Sequence, residues 1–211
     1  MGFNGENARK IVLDLETAPI DGAAEYLESV DAPANYKDPE KIAAYQREAQ
    51  AGQLAKAALD PDLCRIVALG WQHGEDAQSV LCQSEDMEAI HLMDFWERFR
   101  GAHFIGYNIL GFDLPVLLRR SLYLGVKAPA IQVDKYRHPQ VTDLLMLLSN
   151  NGAQKFRSLS FYLKRFGLPA TDGKGSEVPA LVAAGDWAAV EAHLRADLLA
   201  TASLAQRVGV L

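Results

Sequence analysis

Two acids stand inside a run otherwise made of Ile, Val and Leu, in the stretch Lys10-Ile11-Val12-Leu13-Asp14-Leu15-Glu16-Thr17. Such a run predicts a strand, in which residues i and i+2 share a face. Asp14 and Glu16 therefore point the same way, from the end of a segment built for burial. Neighbouring carboxylates repel, and burying either without a partner costs on the order of several kcal/mol. No run of Lys or Arg lies beside them. A divalent cation is the natural counter-charge, and hard oxygen donors suit Mg2+ or Mn2+. The alternative is a strand ending at solvent with two exposed acids, and the pair by itself leaves both readings open.

A chain of 211 residues is long enough for one substantial core and short for two, so a single domain over 1–211 is expected. With 49% apolar and 23% charged residues it falls among folded soluble proteins. No apolar run approaches the ~20 residues of a membrane helix, and the polar first ten residues lack the apolar core of a secretion signal. Cys64 and Cys82 fit no metal-ligand spacing and read as reduced thiols of a cytoplasmic protein. The five His residues are too scattered for a His-rich zinc site. A net charge of −6 argues against a nucleic-acid partner, but its distribution argues the other way. Residues 118–176 hold ten Lys/Arg against three acids, the asymmetry of a surface that meets phosphates or of a solvated basic face.

Along the chain, Ala18-Pro19 stops the first strand. Residues 21–60 form an insertion, with a helix expected over 39–59 behind the Asp38 N-cap and Pro39. Such an insertion is a lid, a substrate clamp or a surface ornament. Residues 64–72 and 77–83 read as a hairpin. Ser84 opens a helix to about Arg100, with Met87, Ile90, Leu92, Met93, Phe95, Trp96 and Phe99 largely on one side. A strand over 103–107 leads to a helix entered at Leu114-Pro115. An apolar segment over 141–148 around Asp143 suggests a strand end passing into a helix. A loop over 150–155, a helix over 158–166, a loop at 173–175 and helices over 178–184 and 186–208 complete the chain, the last capped by Asp186. This alternation indicates an α/β sheet with helices on both faces.

Asp113 falls just past a strand at a helix start, where open α/β sheets place ligands, and where an acid can equally be an N-cap. His193 and Asp197 share one face of the last helix with Ala189, Ala200 and Leu204, a face expected to point inward. A buried His–Asp pair is often only a structural hydrogen bond.

Together, Asp14-Leu15-Glu16, Asn108-x-x-x-Phe112-Asp113 and His193-x-x-x-Asp197 resemble, in order, the three motifs of the DEDD superfamily of 3′–5′ exonucleases. The segment from Gly106 to Pro115 is similar to the second motif of the proofreading exonucleases of family B DNA polymerases. Strand 1, the Arg65-Ile66-Val67-Ala68 strand and the loop before the last helices also resemble stand-alone exonucleases related to that group. The likeness runs from about Arg9 to Arg207, least securely over the insertion. It implies a ribonuclease-H-like mixed sheet and two-metal hydrolysis of phosphodiester bonds at the 3′ end of single-stranded DNA or RNA.

The resemblance also implies roles. Asp14 bridges two Mg2+ or Mn2+ ions, Glu16 and Asp197 hold the water-binding ion, Asp113 serves the leaving-group ion, and His193 takes the water's proton. Thr17, Asn108 and Phe112 become contacts of the terminal nucleotide, and Lys155 a phosphate contact. One feature departs from the family pattern. The polymerase-related branch has Tyr four residues before its last Asp, and the other branch has His five residues before. Here His193 stands at the tyrosine spacing, and one residue of helix is a rotation of about 100°. A module that grips nucleic acid or protein without turnover, and a structural domain whose acids only cap helices, are the competing readings.

Overall fold

The first strand, β1 (Lys10–Pro19), lies in the middle of a five-stranded sheet in the computed structural model, which describes residues 8–134, 137–171 and 175–211. The order is β3-β2-β1-β4-β5. β2 (Cys64–His73) and β3 (Asp76–Leu81) are antiparallel to their neighbours, whereas β4 (His103–Gly106) and β5 (Val141–Asp143) run parallel with β1. Parallel β4 and β5 are joined by a helical crossover over Asp113–Tyr123, whereas antiparallel β2 and β3 need only the turn of a hairpin. That hairpin is tighter than the sequence suggests. His73 pairs with Asp76, leaving Gly74-Glu75 as a two-residue turn with Gly74 at φ 61°, and β3 ends at Leu81.

Seven α-helices are present among the described residues: α1 (Pro39–Ala57), α2 (Glu85–Arg98), α3 (Asp113–Tyr123), α4 (Leu144–Leu148), α5 (Leu159–Phe166), α6 (Val178–Ala184) and α7 (Trp187–Arg207). Side chains of Asp38, Ser84 and Asp186 accept backbone N–H bonds at the starts of α1, α2 and α7, as their positions in the sequence suggest. The elements between β1 and β2 are α1 and a single 3-10 turn, Ala23–Tyr26. Of the 173–175 loop, residues 173 and 174 lie outside the described residues, as do residues 1–7 of the polar N-terminus. No helix among the described residues is long and apolar enough to cross a membrane.

Strand alternation divides β1 between two cores. Ile11, Leu13 and Leu15 pack with Leu92, Phe95, Leu114 and Leu117 of α2 and α3. On the other face Val12 packs with Leu163, Leu198 and Leu204, and Ala18 with Val190 and Leu194. Asp14 and Glu16, in phase with Val12 and Ala18, are thereby directed at α7.

The buried stripe of α2 differs from the apolar reading. Leu92, Phe95, Trp96 and Phe99 are buried, but Met87, Ile90 and Met93 are exposed and Glu88 is fully buried in their stead. Glu88 Oε1 accepts from Arg120 Nε at 2.7 Å and from the Ile66 N–H at 2.9 Å, and Oε2 accepts from Arg120 Nη2 at 2.8 Å. Arg120 also donates to Glu85 at 2.9 Å. A buried carboxylate so fully paired ties α2 to α3 and β2. Cys64 and Cys82 lie buried nearby, and burial pushes both thiols up to about 12, so they stay protonated and inert.

Replacing Glu88 by Ala leaves a buried guanidinium without its main partner. Urea denaturation should show a loss of roughly 3–5 kcal/mol, with a substantial part recovered in the Glu88→Ala/Arg120→Met double variant.

Candidate active site

At its carboxyl end β1 changes register against β2: Glu16 pairs with Ala68 but Thr17 with Ile66, leaving Val67 as an extra residue. Irregularities of this kind re-aim side chains beside sites. Glu16 is 7% exposed and Thr17 is buried. The Thr17 hydroxyl donates to the Ala58 carbonyl at 2.5 Å, fastening the chain just after α1 against β1.

The second group comes from the β4–α3 turn, where Asn108 takes the left-handed conformation at φ 60°. Close approach dictates the glycines here. A Cβ on Gly106 would stand 2.8 Å from Ile109 Cβ and 3.1 Å from the Leu13 carbonyl oxygen, and one on Gly111 would collide with Asn108 Oδ1. Phe112 occupies the N-cap position of α3 without a side-chain cap bond, so Asp113 is the first helical residue. The N-cap alternative for Asp113 is therefore not the arrangement found.

Sequence reasoning missed the residue that holds this turn. Asp143, buried at the end of β5, accepts the N–H groups of Asn108 (3.0 Å), Leu110 (3.1 Å), Leu145 (2.9 Å) and Met146 (3.3 Å). An acid closing an apolar strand next to a helix start was the available signal, and it reads as an ordinary N-cap. Four donors from two segments make it a clamp on the β4–α3 turn as well.

The third group lies on α7. The fully buried stripe is Val190, Leu194, Leu198, Thr201, Leu204 and Ala205; of the face that the sequence suggests, Ala200 and Leu204 are buried, whereas Ala189, His193 and Asp197 are half-buried. The reason is that packing on the sheet is carried by the larger residues one position further round the helix. His193 and Asp197 occupy the flank of that stripe, with side chains 9% and 27% exposed, and meet the acids of β1 there. His193 Nε2 is 3.6 Å from Glu16 Oε1 and 3.9 Å from Asp197 Oδ2. Donor atoms of Glu16, His193 and Asp197 all lie within 4.8 Å of one another.

Electrostatics follow from this gathering. Burial, and then the charges of Asp113, Glu16 and Asp197, push Asp14 well above the usual carboxylate range. Burial and the charges of Asp197 and Asp113 push Glu16 up to about 8. Asp113 is raised to about 7 by burial, against backbone N–H bonds from its own residue and Leu15 that favour its charged form. His193 Nε2 and Asp197 Oδ1 are buried without hydrogen-bond partners among the described residues. Oxygen-rich donors that repel one another, two of them with unpartnered atoms, fit a divalent cation.

Asp14, Glu16, Thr17, Phe112 and Asp197 line a cavity of about 210 Å³, with Leu59 and Pro179 on its rim. A larger groove of about 770 Å³ borders the other flank of His193, but its wall is mainly Ala and Leu and holds none of the four acids. Asn108 is half-buried in the turn, outside the lining of the acid-lined cavity, and Lys155 is exposed in the segment between α4 and α5. The basic segment is less free than its count suggests. Arg120 is buried against Glu88, Arg119 pairs with Asp62 at 3.2 Å, and Lys135 and Lys174 lie outside the described residues.

Residues 59–210 match a family model described as a predicted 3′-5′ exonuclease related to the exonuclease domain of PolB. The chain belongs to that family. The match takes in Asp113, His193 and Asp197, while Asp14 and Glu16 precede it. Among solved structures, the family B DNA polymerase from the hyperthermophilic archaeon Pyrobaculum calidifontis is similar, with a TM-score of 0.63 at 16% identity. The likeness covers 95% of this chain and 24% of that polymerase, so the chain spans about a quarter of the polymerase's length. It shows a shared α/β fold. Comparison with curated protein sequences finds no match.

Two outcomes follow from the geometry. Asp143→Ala strips the acceptor from four N–H groups, so stability should fall by roughly 2–4 kcal/mol. Hydrogen exchange should accelerate more at Asn108 and Leu110 than at Leu13. The second outcome concerns pH. In the metal-free protein the raised values of Glu16 and Asp113 mean the folded state binds more protons than the unfolded one. Their contribution to stability is therefore greatest below the ordinary carboxyl values and is lost as pH rises toward about 8. Thermal melts should show that decline, and added Mg2+ or Mn2+ should reverse it most strongly at the alkaline end.

Proposed function

We propose that this chain is a metal-dependent 3′–5′ exonuclease that removes nucleotides from the 3′ end of single-stranded nucleic acid, DNA in preference to RNA. What supports the reading is that Glu16, His193 and Asp197 offer donor atoms within 4.8 Å of one another, with Asp14 on the same cavity wall and Asp113 close enough for its charge to raise Asp14. Family membership supports the nuclease class, and its relation to a DNA polymerase's exonuclease domain supports the preference for DNA.

When bound, divalent ions would supply an activated water, neutralisation of the phosphoryl oxygens and a stabilised leaving alkoxide. Asp14 would hold both ions, Glu16 and Asp197 the one at the water, and Asp113 the one at the leaving alkoxide, partly through water. Phe112, on the cavity wall, would stack on the terminal base, and Thr17 and Asn108 would meet the terminal sugar. Lys155, with exposed Arg157, Lys164 and Arg165, would follow the upstream phosphates and make binding salt-sensitive. The duty that the resemblance gives His193, accepting the water's proton, requires its Nε2 to face that water. We take residues 1–211 as one exonuclease domain, with 21–60 as its insertion, acting in the cytoplasm, where Cys64 and Cys82 stay reduced.

The test is a digestion panel of 3′-labelled and 5′-labelled single strands of both sugars, with Mg2+, with Mn2+ and with chelator. Wild type should shorten strands from the 3′ end only when a divalent ion is present. Asp14→Asn should lose roughly 10²–10³-fold or more of that rate while keeping its fold and single-strand binding. Metal-independent binding without turnover in wild type would instead favour the binding-module reading.

A further inference from the structure

We infer that His193 is itself a ligand of the ion held by Glu16 and Asp197, so that this site carries a nitrogen donor among its carboxylates. The inference rests on the metal-centred reading above and deepens it.

Three observations carry it. His193 Nε2 is buried and has no hydrogen-bond partner among the described residues, although two carboxylates face it. A protonated Nε2 so placed would close to hydrogen-bond distance of about 2.7–2.9 Å on one of them. Instead it stands back at 3.6 Å from Glu16 Oε1 and 3.9 Å from Asp197 Oδ2. Both distances lie between the separations of adjacent and of opposite ligands on one ion, so a small adjustment seats an ion there. With bonds of ~2.1 Å, two ligands lie about 3.0 Å apart when adjacent and about 4.2 Å apart when opposite.

Asp197 Oδ1 is the second unpartnered buried atom of the group. Third, His193 and Asp197 are four residues apart on α7, the spacing that sets two side chains on one helical strip and serves metal chelation elsewhere. A residue waiting for the proton of a bound water needs its nitrogen directed beyond the ligands. Here the nitrogen is one of the three mutually close donor atoms.

An imidazole in place of a further oxygen softens the donor set. Carboxylates alone suit Mg2+, whereas adding imidazole favours Mn2+, Co2+ and Zn2+ along the usual order of transition-metal affinity.

Pulsed EPR of the full chain loaded with Mn2+ tests this directly. The wild type should show electron-spin-echo modulation from a directly bound ¹⁴N, and a protein grown with ¹⁵N-labelled histidine should show the ¹⁵N pattern instead. His193→Gln should lose the coupling while still binding Mn2+. In His193→Tyr, calorimetric titration should find the preference for Mn2+ over Mg2+ reduced on the order of tenfold relative to wild type. Bound Mn2+ without nitrogen coupling in wild type, or coupling that persists in His193→Gln, would overturn the assignment. Absence of nitrogen coupling in the labelled wild type overturns the assignment even if both variants fail to fold. Nitrogen coupling in a protein that digests no strand would overturn the exonuclease reading and leave the ligand assignment standing. Digestion with no coupling would do the reverse.

Discussion

Repulsion among carboxyl groups at the carboxyl end of β1 is the constraint on which the site depends. A central strand with a helix layer on each face must bury both sets of its side chains, and Asp14 and Glu16 belong to one of those sets. The sheet cannot turn them to solvent without moving Val12 and Ala18 out of their cores, because a strand's faces are fixed by its period of two. The α7 layer brings no Lys or Arg to meet them; it brings another acid and an imidazole. Without cations the conflict is relieved by protonation, visible in the raised Asp14 and Glu16. With cations it is relieved by coordination, and the protein gains chemistry in the exchange.

Holding such a group in place requires the surrounding backbone to be satisfied independently of any ion. Asp143 does this for the β4–α3 turn by receiving four N–H groups, and the glycines at 106 and 111 let that turn press on β1 and on Asn108. Thr17 does it on the opposite side through the Ala58 carbonyl. The scaffold's own buried ion pair, Glu88 with Arg120, lies on the other face of the sheet, fully compensated. Glu88 and Arg120 are thus satisfied by each other and not by the acids of β1. A pairing between Arg120 and the β1 acids would have neutralised the site and removed its reason to bind metal.

Much of this was legible in the sequence wherever local rules decide the outcome. The D-x-E strand, the Asn108–Asp113 turn and the Asp38, Ser84 and Asp186 caps depend on neighbours within a few residues, and each lies where the sequence suggests. What escaped depends on distant partners. Glu88 gives no sign of its role until Arg120 and the Ile66 amide, 32 and 22 residues away, are known to meet it. Asp143 reads as the cap of α4, which it also is, and only the parallel pairing of β5 with β4 reveals its hold on Asn108. The basic count over 118–176 could not disclose that Arg119 and Arg120 already have acidic partners. On α7, Ala200 and Leu204 are buried as the sequence suggests, but His193 and Asp197 stand at the flank, because alanines on both sides of the pair blur the apolar stripe. Packing then follows the Leu and Val positions.

The four-residue spacing of His193 and Asp197 bears on what His193 can do. Residues four apart on a helix differ by about 40° in direction and about 6 Å in height, whereas residues five apart differ by about 140°. At a spacing of five, an imidazole swings away from the acid that follows it and can look past a metal toward its water. At a spacing of four it stays on the same strip as Asp197, and on α7 that strip is the flank facing Glu16. The imidazole's chemistry is the same at both spacings, but its direction is not. If His193 is the ligand proposed above, the helix period turns a residue type associated with proton transfer into one placed for coordination, and the metal preference would follow from spacing.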